Sequence, residues 1–299
     1  MHHNGTPTMK LLRSMLFIPG DSEKKLSKGV STQADALILD LEDAVSIERL
    51  PVARSMVCEY LTQHPRGAQQ AWVRINPLQT EHALRDLTAV MPGRPDGIVL
   101  PKTLNARDVV MLDHFLSALE TREGLLIGST QIIAVATEVA GALFELNSYA
   151  GASARLAGLT WGAEDLATAV GASTNKDEHG EFDFTYQLAR SMCLLAASHA
   201  QVQAIDTLTV DFRDADRLQK DVLRARKAGF TGKLAIHPDQ VLPIHAGLAP
   251  DAHEVAHAQR IVQAFAQADG AGAVQLDGKM VDKPHLTQAL RLLQLAKRD

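Results

Sequence analysis

The chain has 299 residues, 46% hydrophobic and 22% charged, with a formal net charge of −5. That apolar fraction supplies a sizeable core, and the length suits one α/β barrel, a fold that commonly reaches about 250 residues. A negative balance with no basic run excludes nucleic acid as a main partner, and two cysteines, Cys58 and Cys193, exclude a disulfide framework. Both thiols fall in apolar, helix-like stretches and read as buried and free.

In chain order, residues 1–9 form a polar segment without an apolar signal region, expected to be a disordered tail in which His2 and His3 have no role. The most apolar long stretch, 125–146, is interrupted by Ser129, Gln131 and Glu138 and is too polar to span a bilayer. A cytoplasmic enzyme with no membrane partner is the expectation. Short apolar runs recur at 15–18, 36–39, 71–75, 97–100, 132–136, 157–160, 204–208 and 233–236. They lack alternation, as parallel strands buried on both faces should. Amphipathic stretches lie between them, such as 105–120 and 185–199. The rhythm predicts a (β/α)₈ TIM barrel over 10–246, with an open doubly wound sheet as the competing topology.

After His237-Pro238 the pattern changes. A helix is predicted over 252–268, a glycine-rich link over 270–278, and a last amphipathic helix over 284–297 with Leu286, Leu290, Leu293 and Ala296 on its apolar face. This 247–299 helical extension must pack on its own barrel or on a neighbouring subunit.

Chemistry-bearing residues gather just past the strand ends. In chain order these are Pro19-Gly20, Asp40-Leu41-Glu42-Asp43, Arg74-Ile75-Asn76, Pro101-Lys102, Glu138, Trp161-Gly162-Ala163-Glu164-Asp165 and His237-Pro238. Barrel enzymes build their sites at these strand ends. Glu138 and Asp165 end consecutive strands, and two converging anions repel unless a proton or cation lies between them. Magnesium suits such a site, taking one or two protein carboxylates and leaving positions for water and substrate. The competing reading makes each acid a helix-start residue favoured by the macrodipole.

Arg74, inside a core-bound strand, needs an anion. A substrate carboxylate and an ion pair to Asp40, Glu42 or Asp43 both satisfy it, and the two can coexist. Asp40, Glu42 and Asp43 otherwise suit hydrogen bonds to metal-bound water. Gly162 and Ala163 offer backbone amides for an anion, or simply a tight turn. Lys24, Lys25 and Lys28 read as a solvated face or as partners of a phosphorylated ligand. His237-Pro238 can be loop punctuation. Val139, Ala140 and the segment 171–182 are candidates for shaping the acyl pocket.

The runs Arg13-Ser14-Met15-Leu16-Phe17-Ile18-Pro19-Gly20, Leu39-Asp40-Leu41-Glu42-Asp43-Ala44-Val45, Trp72-Val73-Arg74-Ile75-Asn76-Pro77 and Trp161-Gly162-Ala163-Glu164-Asp165-Leu166 resemble the citrate lyase β-subunit family. That family is grouped with malyl-CoA and citramalyl-CoA lyases and the hydroxyketoacid aldolases. The likeness extends through Ala235-Ile236-His237-Pro238 and Asp277-Gly278-Lys279-Met280-Val281-Asp282-Lys283-Pro284. It implies a magnesium-dependent barrel acting on a short hydroxyacyl-CoA thioester. Under that resemblance Glu138 and Asp165 hold the metal and Arg74 binds the substrate carboxylate. Phe17, Lys24 and Lys28 line the CoA site, with Ile236 and His237 near its nucleotide end. It also implies that Asp282 reaches into a neighbouring subunit's site as the base, within a homotrimer or hexamer. The residues alone let Asp282 cap the last helix instead.

The implied reaction is carbon–carbon cleavage of a citryl-, malyl- or citramalyl-CoA type of ester. Three competing readings are a CoA-independent aldolase releasing pyruvate, a synthase- or thioesterase-like variant, and a non-catalytic CoA-ester binder.

Overall fold

A computed structural model describes residues 11–63, 67, 69–268 and 270–296. The expected tail over 1–9, with His2 and His3, lies outside the described residues. The chain divides into two compact units, Met1–Ile244 and His245–Asp299.

The first unit is a closed eight-stranded parallel barrel. Its strands are β1 (Ser14–Pro19), β2 (Ala36–Asp40), β3 (Gln70–Arg74), β4 (Gly97–Leu100), β5 (Gln131–Val135), β6 (Leu156–Thr160), β7 (Gln203–Asp206) and β8 (Gly232–Ala235). Closure comes from β8 pairing with β1, Leu234 opposite Met15. The barrel therefore prevails over the open sheet, and each apolar run becomes a strand within a residue or two of its expected limits. Helices α1 (Glu23–Gly29), α2 (Leu50–Gln63), α3 (His82–Val90) and α4 (Ala106–Arg122) come after the first four strands. Helices α5 (Ala163–Val170) and α6 (Phe184–His199) both come after β6, and α7 (Ala215–Ala228) after β7.

The alternation fails once. After β5 the chain makes two 3₁₀ turns, Ala140–Phe144 and Leu146–Tyr149, in place of an α-helix. Gly141, Asn147 and Ser148 are weak helix formers, and Asn and Ser side chains compete for the backbone.

Side chains alternate in and out along each strand, so one set fills the barrel. Met15, Ala36, Ile38, Trp72, Val99, Ile133, Val135, Ala157, Ile205 and Leu234 form this interior cluster. Trp72 is the bulkiest of them, and β4 makes room for its ring at Gly97. A Cβ at Gly97 would come within 2.2 Å of the indole.

Cys193 is buried in α6, whereas Cys58 in α2 is only half-buried. Helix α8 (Val241–Leu248) runs across the division between the units.

The second unit contains α9 (Ala252–Gln267), β9 (Ala273–Leu276), β10 (Lys279–Asp282) and α10 (Lys283–Ala296). Asp251 and Glu254 close a reciprocal capping box at the start of α9. The stretch expected to be a loose glycine-rich link is instead part of a hairpin. Asp277 and Gly278 both adopt positive φ, 54° and 76°, and join β9 to β10 antiparallel. Asp-Gly is a favoured two-residue turn between twisted strands, which is why this segment pairs. The apolar face of α10 is also rotated from expectation. Ala289, Leu292 and Leu293 pack with Ala258, Ile261 and Phe265 of α9, while Leu290 is 45% exposed. Among the described residues no helix is long and apolar enough to cross a membrane.

Candidate active site

The side-chain alternation that fills the barrel also aims the first polar group. On β2, Ala36 and Ile38 face inward, so Asp40 does too; on β3, Trp72 faces inward and so does Arg74, two residues on. The register sets Asp40 opposite Arg74. Their side chains meet in a fork, Arg74 Nε and Nη2 each donating to an Asp40 carboxylate oxygen at 2.7 Å. Nη1 lies 3.1 Å from Glu42 and 3.4 Å from Asp43. The guanidinium also sits over the Phe17 ring, 4.8 Å from its centroid. Burial disfavours the Arg74 charge, but Asp40, Glu42 and Asp43 more than offset it and hold the group ionised. The ion-pair reading of Arg74 is thus realised.

Lys102, just past β4, is expected at the barrel mouth from its strand-end position but without a role of its own, and in the structure it links the acids of the site. Its backbone adopts φ 51°, and its N–H donates to Glu138 Oε2 at 2.6 Å. Its ammonium lies 2.6 Å from Glu42, 3.2 Å from Asp43 and 3.3 Å from Asp165. The only signal in the sequence is a lone lysine at a strand end, which names no partners.

Glu138 is 5% exposed. Burial, then the neighbouring Asp165 charge, pushes its carboxyl up to about 8, only partly countered by the Lys102 N–H. Glu42 is pushed up to about 7 by burial, against the pull of Arg74 and Lys102. Gly162, the residue before α5, fits tightly against Glu138, since a Cβ there would lie 2.7 Å from Glu138 Cγ. Asp165 stands in the first turn of α5, where the helix dipole favours an anion.

Phe17, Arg74, Glu138, Gly162, Ala163 and Asp165 all border one cavity of about 200 Å³. Val139 and Ala140 do not border it, whereas Lys176 and Phe182 from the loop between α5 and α6 do. Behind it, Trp161 donates from Nε1 to the buried Asp206 at 2.7 Å, and Arg190 and Lys233 supply the countercharge. The Trp161 ring meets Phe182 edge-on at 5.2 Å.

The donor set fits a hard divalent cation. A buried carboxylate disfavoured as an anion, with a second carboxylate beside it, gains most from a positive ion. Among the described residues no group of three or more His, Cys, Asp or Glu has metal-holding geometry. Magnesium does not need one, because it keeps waters and substrate oxygens on its remaining positions.

The other expected residues lie apart from this cavity. Lys28 and His237 border a separate groove with Ser31 and Thr32. Lys24 is exposed on α1, and Ile236 is 37% exposed just past β8. His237 has structural work of its own: Nδ1 accepts the Asp239 N–H at 3.2 Å, and the ring stacks on Phe212 at 4.5 Å. Asp282 belongs to the second unit, where its carboxylate bonds the His285 ring and is held below the usual carboxylate range.

Comparison with known proteins identifies the family. The family model described as HpcH/HpaI aldolase/citrate lyase matches residues 13–238. The chain belongs to that family. It is 36% identical to the citrate lyase subunit beta of Haemophilus influenzae over 292 residues, covering 97% of this chain and 98% of the relative. It is 31% identical over 305 residues to the (3S)-malyl-CoA thioesterase of Cereibacter sphaeroides, covering 99% and 97%. The crystal structure of CitE from Mycobacterium tuberculosis, in complex with magnesium, acetoacetate and coenzyme A, superposes with a TM-score of 0.78. That match has 30% identity and covers 96% of this chain and 98% of that one. Family membership thus carries the (β/α)₈ barrel, the resemblance read from the motifs and the assignment to a lyase family.

Proposed function

We propose that the protein is a magnesium-dependent carbon–carbon lyase that cleaves a short hydroxyacyl-CoA thioester of the citryl-, malyl- or citramalyl-CoA type. The observation that carries the reading is the buried Glu138, disfavoured as an anion and bordering one cavity with Asp165 and Arg74. Glu138 and Asp165 would hold the ion. When bound, magnesium supplies Lewis-acid polarisation of the oxygen on the carbon that becomes the new carbonyl.

The chain's own residues do the rest. Arg74, held by Asp40 through Nε and Nη2, is the cation for the substrate carboxylate, which would have to draw Nη1 from Glu42 and Asp43. Lys102 fixes Glu138 through its N–H and Asp165 through its ammonium, which keeps both carboxylates in place before substrate arrives. Phe17 closes one wall. Lys24, Lys28, Ile236 and His237 are assigned to the path of the CoA moiety, Lys28 and His237 along the groove they share. In cleavage a base takes the hydroxyl proton, the carbon–carbon bond breaks, and its electron pair leaves with the thioester enolate. Asp282 of a neighbouring copy is the assigned base, with His285 orienting its carboxylate. This assignment requires an oligomer, a trimer or hexamer, in which the 247–299 segment packs on another subunit.

The test is a screen of short hydroxyacyl-CoA esters with and without Mg²⁺, products identified by mass. A 2-oxo acid plus a shortened acyl-CoA supports the lyase. Free CoA with an intact hydroxy acid points to hydrolysis, the reading favoured by the thioesterase relative. Pyruvate released without any CoA ester would replace both with the aldolase. Full lyase activity in Asp282→Asn would remove that residue as base.

A further inference from the structure

We infer that Phe182 is a specificity-determining residue: its ring closes the barrel-mouth cavity against a second cavity behind it and so limits the length of the 2-oxo acid that is bound. The inference rests on the lyase reading for the class of acid, whereas the size limit itself concerns binding and not turnover.

The second cavity has a volume of about 370 Å³, against about 200 Å³ at the barrel mouth. Arg190, Ser191, Asp206, Arg224 and Lys233 border the second and not the first. The two cavities share Trp161, Phe182, Thr207, Leu208 and Asp221, which therefore make the partition between them.

Four of these five are held in place. Trp161 is 1% exposed, and its Nε1 donates to Asp206 at 2.7 Å. Thr207 follows β7 directly, and its carbonyl accepts from the buried Lys233 ammonium at 2.5 Å. Leu208 packs on the cluster that fills the barrel. Asp221 accepts from Thr209 Oγ1 at 2.9 Å and from Arg217 Nε at 3.0 Å.

Phe182 is held differently. Its backbone is anchored by the antiparallel bridge to Lys176, and its carbonyl accepts from Gln187 Nε2 at 2.5 Å. The half-buried ring has no hydrogen-bonding group; it meets Trp161 edge-on at 5.2 Å and the Lys176 ammonium at 5.6 Å. Such a ring can change rotamer while its loop stays where it is. It is thus the movable part of the wall, and truncating it joins the two cavities.

Charge indicates what could extend past the wall. Around the second cavity four acids, Asp177, Glu181, Asp206 and Asp221, face three bases, Arg190, Arg224 and Lys233. That lining has no positive charge to spare for a further anion. An uncharged chain on the 2-oxo acid is the extension that suits it.

The test is calorimetric titration, with Mg²⁺ present, of pyruvate, 2-oxobutyrate, 2-oxopentanoate and 2-oxohexanoate. It compares wild type, Phe182→Ala, Phe182→Leu and Phe184→Ala, whose own ring is 75% exposed and borders neither cavity. Wild-type affinity should fall as the chain grows beyond pyruvate. In Phe182→Ala the ratio of pyruvate affinity to 2-oxohexanoate affinity should drop by about tenfold or more, the scale on which a pocket discriminates one methylene. Phe182→Leu should lower the ratio by less, and Phe184→Ala should keep the wild-type ratio. Thermal melting reports whether each variant folds, and Phe182→Leu, which keeps most of the apolar bulk, decides the matter if Phe182→Ala does not. Wild type that binds all four acids equally, or none of them, would overturn the inference, as would an unchanged ratio in the folded Phe182 variants. If the ratio shifts as expected but wild type cleaves no CoA ester, the lyase reading fails while the size limit stands.

Discussion

Lys102 donates its backbone N–H to Glu138 at 2.6 Å while its own side chain reaches across to Asp165 at 3.3 Å. One residue thus holds the two acids proposed to bind metal, one by its main chain and one by its charge. Its ammonium, 2.6 Å from Glu42, 3.2 Å from Asp43 and 3.3 Å from Asp165, offsets part of the repulsion among these three acids.

The raised Glu138 carboxyl has consequences for metal-free protein. Its folded-state value of about 8 exceeds the ordinary 4.5, so folding favours the protonated form. The contribution to stability is fully present below about 4.5 and is lost as pH rises through about 8. Glu42, raised to about 7, acts in the same direction. The melting temperature of metal-free protein should therefore fall between about pH 4.5 and about pH 8 beyond the drift of a Glu138→Gln variant, and level off above that, as read by calorimetry. Magnesium must displace the Glu138 proton, so its binding should tighten with pH over the same window and release protons to buffer. A pH-independent magnesium affinity would contradict this.

Gly162 has no room for a side chain. In Gly162→Ala the new Cβ would press on Glu138 Cγ, at 2.7 Å in the present geometry, and displace the carboxylate from the Lys102 N–H. Metal affinity, tracked with Mn²⁺ by electron paramagnetic resonance, should fall by roughly tenfold or more, since displaced supporting groups cost about that much. The barrel should still fold, because the residue lies beyond the end of β6.

Arg74→Met tests the ion pair. It would leave Asp40, 1% exposed, without its fork of donors. Breaking one side of a buried pair costs about 3–5 kcal/mol. Urea unfolding should show that loss, and the double variant Arg74→Met, Asp40→Leu should recover part of it. An unchanged midpoint in the single variant would mean the pair contributes nothing.

Gly97→Ala probes the barrel floor. The added methyl meets the Trp72 ring at 2.2 to 2.6 Å from three of its atoms, and overpacking of this kind costs about 1–3 kcal/mol or more. A lowered unfolding midpoint is expected, with recovery on Trp72→Leu in the same chain.

Much of the fold is legible from local pattern. Apolar runs of four or five residues without alternation are what strands covered on both faces require, and all eight match strands of the barrel. Local pattern misleads where two readings share a composition. Asp277-Gly278 sits in a glycine-rich stretch, yet it makes the turn of a hairpin. Leu286 and Leu290 look equivalent on the last helix, but a few tens of degrees of rotation bury Ala289 and expose Leu290.

For the site, the sequence by itself determined which charged residues stand after which strand: Glu138 after β5, Asp165 after β6, Arg74 at the end of β3. Pairing was another matter. That Arg74 takes Asp40 in a fork, with Glu42 and Asp43 on its remaining nitrogen, depends on the register of β2 against β3. That Lys102 links Glu138 to Asp165, and that Lys176 faces the same cavity from a loop 38 residues beyond Glu138, depends on barrel closure and loop docking. Strand periodicity is a property of neighbours along the chain. Register, closure and the burial that raises Glu138 arise only when distant segments exclude water together, and the tertiary structure alone decided them.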